Sequence, residues 1–318
     1  MADKYAFLFP GQGAQVPGML KDVAESFPSA KKVMENVSSI TGIDMENLLW
    51  NSDAETLSRS DNSQLAITTA SLATIAVLKE KGIEASAVMG FSLGEFPALY
   101  AAGVLSFEDV VKVVQKRGQI MQKVCEEIAV ESQGKAPGMS AILGLAPEKV
   151  KELVSSIPDA YAANMNSEGQ TVISGTFDAL EKAEEAAKAA GARRAVRLKV
   201  AGPFHSPLMQ KAADEFEKAI ADVNFADPAI TLFSNVTGAQ ATSGAEIKKN
   251  AVLHLTHSVL WTDEEAVLAD LIQKDAGKSW TILEPGPGKV LSGLWSQTEF
   301  GKTLPSTPVN TAESISQL

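Results

Sequence analysis

Five residues, Gly90-Phe91-Ser92-Leu93-Gly94, stand between a short apolar run and an Ala-rich stretch of helical character. G-x-S-x-G at a strand-to-helix junction is the pattern of a nucleophile elbow. The turn is so tight that a side chain at either glycine would collide with neighbouring backbone. It lifts the serine hydroxyl clear of the sheet, beside a helix N-terminus that favours negative charge. A serine serving only as an N-cap would also fit these five residues. A hydroxyl needs a base to become a useful nucleophile, and the chain offers three histidines, His205, His254 and His257. His205 lies in VAGPFHSPLM, among apolar and turn residues rather than charged ones, and is the preferred base. The other two share LHLTHSVLW. A developing oxyanion needs fixed donors. The amide of Leu93, next after the serine, is the usual first one, and the loop FPGQGAQ after the first strand can supply a second.

Arg117 is the next residue able to do chemistry. Val110, Val114, Arg117 and Met121 are spaced 4, 3 and 4, which puts the arginine on the apolar stripe of a helix. A guanidinium there is costly unless an anion meets it. Two readings stay open: a structural ion pair or snorkelling arginine, and a bidentate clamp on a substrate carboxylate. Other motifs carry less. Gly11-Gln12-Gly13 is no dinucleotide fingerprint, because Val16 stands where the third glycine belongs. GPGKV at 286–290 is no phosphate loop, since Leu283 and Val290 occupy its defining positions. His254 and His257 form an HxxH pair that no Cys, Asp or Glu pattern completes, so no metal site is expected.

The elements that must position these residues read as α/β. Tyr5 to Phe9 and Ala85 to Phe91 are buried strands, with helices over Gln64–Lys81 and Glu108–Gln122. Apolar strands alternating with helices predict a parallel sheet covered on both faces. Residues 136–200 break the rhythm with the order β-α-β-β-α-β, a ferredoxin-like unit: strands Met139–Gly144, Ala160–Asn164, Gln170–Gly175 and Val196–Val200, helices Pro147–Ser156 and Phe177–Ala190. The expected organisation is a large subdomain, 1–135 with 201–318, and a small ferredoxin-like subdomain, 136–200. Strand candidates Ile230–Asn235 and Trp280–Glu284 return the chain to the large sheet, and 301–318 reads as a loose surface tail.

The chain has 318 residues and a formal charge of −11. That balance disfavours nucleic-acid binding, whose energy comes from Lys and Arg on phosphates. The lone cysteine, Cys125, suits a reducing cytoplasm, and no window is apolar enough for a membrane span.

FLFPGQGAQ (7–15), GFSLGE (90–95), KRGQIMQ (116–122), NMNSEGQTVISG (164–175), GPFHSPLM (202–209), SNVTG (234–238) and GPGKVLSGL (286–294) together resemble the malonyl-CoA:acyl-carrier-protein transacylase family of fatty-acid synthesis. The resemblance implies a hydrolase-like α/β core with the ferredoxin-like insert and an active site in the cleft between them. It makes Ser92 the nucleophile and His205 the base. Gln12 and Leu93 become the oxyanion amides, and Arg117, Phe204 and His254 the substrate-binding residues. Phe204 implies a preference for malonyl over branched acyl units. It also implies a ping-pong transfer from malonyl-CoA to phosphopantetheinylated acyl carrier protein, without metal or redox cofactor, by a cytoplasmic monomer. Phe91 stands where most members have His, and His254 where many carry Gln. In the family the base is oriented by a main-chain carbonyl near that second position. Arg193, Arg194, Arg197 and Lys199 form a basic cluster that reads first as a solvated strand edge and second as a carrier-docking patch. The rival functions are an acyltransferase serving polyketide carriers, a serine hydrolase and a silent binding module.

Overall fold

The computed structural model describes residues 2–318. Its ten strands, in chain order, are β1 (Lys4–Phe9), β2 (Ala87–Gly90), β3 (Gly138–Leu143), β4 (Ala160–Ser167), β5 (Gln170–Gly175), β6 (Arg194–Arg197), β7 (Thr231–Ser234), β8 (Ala239–Ala241), β9 (Trp280–Pro285) and β10 (Ser306–Val309). Six of them form the core sheet, in the order β10-β9-β1-β2-β7-β8. All of its pairings are parallel except β7 with β8. That last strand departs from the expected parallel sheet because a tight turn, with Gly238 at φ 61°, folds the chain back as a hairpin at the edge.

The inner strands β1 and β2 are largely apolar because both faces of the sheet are covered there, whereas the edge strands β8 and β10 each bury a single residue. Phe7 and Phe9 of β1 face a layer that includes the helices Ser60–Glu80 and Phe107–Glu131, while Ala6 and Leu8 face Trp261 and Trp295 on the other side. The helix Ser60–Glu80 is buried through most of its length despite its hydroxyls. Thr69 and Thr74 satisfy theirs by donating to the carbonyls of Leu65 and Ala70 one turn back, at 2.7 and 2.9 Å.

The second sheet is antiparallel, in the order β4-β5-β3-β6. With the helices Pro147–Ser155 and Phe177–Ala189 it makes the ferredoxin-like unit, around its own apolar cluster of Ile142, Val150, Ile173 and Leu180. Two of its strands differ from expectation. β4 runs on to Ser167, which carries Asn164 and Asn166 toward the core sheet, and β6 ends at Arg197, which releases Lys199 and Val200 from the strand.

The C-terminal stretch is not a loose tail. β10 adds to the sheet beside β9, and Ala312–Ser316 is a helix with a Thr311–Ser314 capping box. Val309 and Ile315 are the only side chains beyond Cα that are buried there, so the anchoring is two side chains deep in an otherwise polar segment. Pro308 is tolerated because β10 is an edge strand.

Candidate active site

The chain leaves β2 and turns sharply at Ser92, whose φ of 51° lies in the left-handed region. A Cβ on Gly90 would come within 2.0 Å of the Gly94 carbonyl group, and one on Gly94 within 2.0 Å of the Phe9 oxygen. Both positions therefore require glycine, and backbone strain of this kind persists only where the surroundings over-determine it. The serine is placed above the C-terminal ends of β1 and β2, at the start of the helix Glu95–Ala101.

His205, also left-handed at φ 57°, lies opposite. Its Nδ1 is 2.8 Å from the His254 carbonyl and its Nε2 is 2.8 Å from Ser92 Oγ. A carbonyl only accepts, so Nδ1 carries the proton and Nε2 presents the lone pair to the serine hydroxyl. Burial first, and then the positive charge of Arg117, lower the imidazole's pKa to about 4. The ring is thus neutral at physiological pH and able to accept a proton.

Arg117 emerges from Phe107–Glu131 on its buried face, only 1% exposed. Nη1 donates to Gln64 Oε1 at 2.8 Å, and the guanidinium lies over the Phe96 ring at 5.3 Å. Its Nε is buried with no acceptor, and no carboxylate among the described residues comes within 4.0 Å. Burial lowers its pKa to about 10, against a raising influence from Glu95, so it keeps its charge. Glu95 is a weak counter-charge, because burial holds its own carboxyl up at about 7.

Ser92, His205 and Arg117 border one cavity of about 330 Å³. Gln12, Phe204 and Phe91 border it too, and β4 contributes Asn164 and Asn166. Leu93 is fully buried, which leaves its amide, in the first turn after the elbow, as its contribution. The backbone N–H of Gln12 donates to no oxygen among the described residues. Phe204 packs at the wall, and its carbonyl accepts the hydroxyl of Ser174.

His254 does not sit where a substrate contact would need it. Its imidazole is fully buried, off the cavity, with Nε2 at 2.9 Å from Asn235 Oδ1. What it turns toward His205 is its carbonyl. His254 caps the C-terminus of Gly244–Leu253, and carbonyls there lack an intrahelical partner. His257 is exposed, and among the described residues no group of three or more His, Cys, Asp or Glu could hold a metal ion. Arg193, Arg194 and Lys199 are exposed, while Arg197 pairs with Glu184 at 2.8 Å.

Residue-by-residue reading missed Gln64, the neutral acceptor on Arg117, and Asn235, whose side chain accepts the Ser92 N–H at 2.6 Å. Asn235 lies inside the SNVTG segment, so its neighbourhood was visible but its task was not. Gln64 sits in a helix whose Ala and Leu content conceals it.

A family profile described as "Acyl transferase domain" matches residues 6–271. The malonyl CoA-acyl carrier protein transacylase of Bacillus subtilis is 39% identical over 295 residues, 92% of this chain and 89% of that protein. Among solved structures, an acyl carrier protein S-malonyltransferase from Vibrio cholerae superposes with a TM-score of 0.88 at 35% identity, covering 99% of both chains. A malonyl-transacylase in complex with a type II PKS acyl-carrier protein superposes with a TM-score of 0.87 at 33% identity, covering 99% of this chain and 98% of that one.

Proposed function

Since the chain belongs to the malonyl CoA-acyl carrier protein transacylase family, we propose that Ser92, His205 and Arg117 are the residues through which it moves malonyl from CoA to the phosphopantetheine thiol of acyl carrier protein. The reaction is an acyl transfer, and two half-reactions through a malonyl-serine account for it. His205 Nε2 takes the Ser92 proton as Oγ bonds to the thioester carbonyl carbon, and the carbon–oxygen π pair moves onto oxygen. The amides of Gln12 and Leu93 hold that oxyanion. Its collapse expels the CoA thiolate, which leaves with the proton from His205. The carrier thiol then gives its proton to His205, attacks the ester carbon and departs as the malonyl thioester, returning the proton to Ser92.

The observation that carries this reading is a buried, charged arginine that shares a cavity with a serine–histidine pair and lacks a carboxylate partner. Malonyl supplies the missing carboxylate. Binding it also cancels the charge that lowers His205, so the correct substrate strengthens its own base. The side chains and amides supply every step, so we read the enzyme as needing no metal or redox cofactor. We read it as a cytoplasmic monomer that binds neither nucleic acid nor membrane. A formal charge of −11 supports the first exclusion; no helix among the described residues is long and apolar enough to cross a membrane. The division into 1–135 with 201–318 and 136–200 rests on the separate apolar cluster of the second sheet. Phe204 at the wall is the residue we assign to acyl-size selection.

Incubation with malonyl-CoA alone, followed by peptide mapping, tests the reading: a malonyl adduct on Ser92 is expected, and an adduct elsewhere or none rejects it. The similarity to the enzyme solved with a polyketide carrier favours one second reading, a polyketide acceptor, which turnover on the two carrier types separates.

A further inference from the structure

Resting on that reading of Ser92 and His205, we propose that Asn235 is a positioning residue for the transfer: its single carboxamide ties the nucleophile's backbone to the residue that aims the base. The carboxamide is fully buried and all four of its hydrogen-bonding capacities are used. Oδ1 accepts from the Ser92 N–H at 2.6 Å and from His254 Nε2 at 2.9 Å. Nδ2 donates to the Gly90 carbonyl and to Glu264 Oε1, both at 2.7 Å. The backbone N–H of Asn235 donates to Glu95 Oε2 at 2.9 Å. A flipped amide would set a donor against the Ser92 N–H and an acceptor against the Gly90 oxygen, so the main chain fixes its orientation.

His254 is the second arm. Its Nε2 must carry the proton that Asn235 Oδ1 accepts, and its Nδ1 is left buried without a partner. Its main-chain carbonyl receives the proton-bearing Nδ1 of His205. One amide thus grips the elbow at Gly90 and Ser92 and, through His254, the acceptor that orients the imidazole. It also occupies the Ser92 N–H, so that this amide is withheld from the oxyanion. A left-handed serine needs external restraint, and Asn235 supplies it from the turn between β7 and β8 rather than from the elbow itself.

Rapid-quench measurement of malonyl-Ser92 formation on the full chain tests this, with the parent, Asn235→Ala, His254→Gln and His254→Leu compared. Because small misplacements of reacting groups cost about 10²-fold, Asn235→Ala should acylate about 10²-fold more slowly, with KM for malonyl-CoA within about threefold because Arg117 is untouched. The proton resonance of His205 Nδ1–H should broaden or move in that variant while its melting stays cooperative. His254→Gln keeps an N–H that can reach Asn235, and should acylate at least about tenfold faster than His254→Leu, which has none. Asn235→Ala acylating within about threefold of the parent, or His254→Leu matching His254→Gln, overturns the assignment. If Asn235→Ala does not fold, the His254 pair decides. A parent that forms no malonyl-Ser92 sinks the underlying reading instead, whereas a parent that labels no faster than its variants sinks only the role of Asn235.

Discussion

At Ser92 and His205 the hydroxyl, both ring nitrogens and the Ser92 N–H are matched within the chain, whereas 1% exposed Arg117 keeps a single neutral partner and an unpaired Nε. The serine side is a closed network in which Asn235, His254 and the elbow backbone fix one geometry. The arginine side is left incomplete. A buried charge without a counter-ion is destabilising by several kcal/mol, and the chain tolerates it by offering amide and aromatic contacts and a carboxyl, Glu95, that is held near neutrality. Preorganisation for bond making and unmatched charge for recognition are thus assigned to separate walls of one cavity.

Removing a part of the closed side should have the largest effect. Ser92→Ala should form no acyl-enzyme at all, and His205→Ala should slow acylation by at least about 10²–10⁴-fold, both read by quench and mass measurement of the intact chain. The incomplete side is broken most cleanly by completing it. Gln64→Glu sets a carboxylate where Oε1 now lies 2.8 Å from Arg117. Malonyl transfer should fall about tenfold or more and acetyl transfer much less, without loss of melting temperature, because the new pair competes only with a substrate carboxylate.

The pH dependence sharpens the same contrast. The acid limb of kcat/KM reports the free enzyme, and should lie near His205's value of about 4. Below it His205 is protonated and cannot take the serine proton. The acid limb of kcat should lie at higher pH with malonyl-CoA than with acetyl-CoA, because only malonyl neutralises Arg117 beside the imidazole. Coincident limbs for the two substrates would show that the two walls do not communicate. The smallest effect on catalysis belongs to a region remote from both walls. Ile315→Ala should cost about 2–5 kcal/mol of stability by the cavity it leaves, seen as a lower denaturation midpoint with kcat unaltered.

Much of this was legible in the chain. Gly90 and Gly94 disclosed the elbow because no other residue fits such close backbone. Arg117 disclosed itself by standing on an apolar stripe. The two sheets followed from periodicity, and β5 was read to its residue limits, since Gly175 and the Glu168-Gly169 turn bound it. β8 and β10 were missed because three- and four-residue edge strands bury one residue each, Ala241 and Val309, and give no periodic signal. The C-terminal helix was missed for the same reason: Ile315 alone anchors it. His254 was assigned to the substrate because its alignment to the base was visible and its direction was not; a carbonyl and a side chain of one residue share a sequence position but point to different places. Asn235 and Gln64 act through hydrogen bonds to residues 143 and 53 positions away, a relation that only the fold establishes.

The most direct test of the central claim, that Arg117 is an open site for a substrate carboxylate beside a self-contained serine–histidine pair, is single-turnover acylation of the parent and Arg117→Ala with malonyl-CoA and with acetyl-CoA. Losing one partner of a buried charge pair costs about 2–5 kcal/mol, roughly 30- to 3,000-fold, and the account predicts that loss for malonyl with acetyl slowed less than about fivefold. Equal slowing of both acyl groups would contradict it.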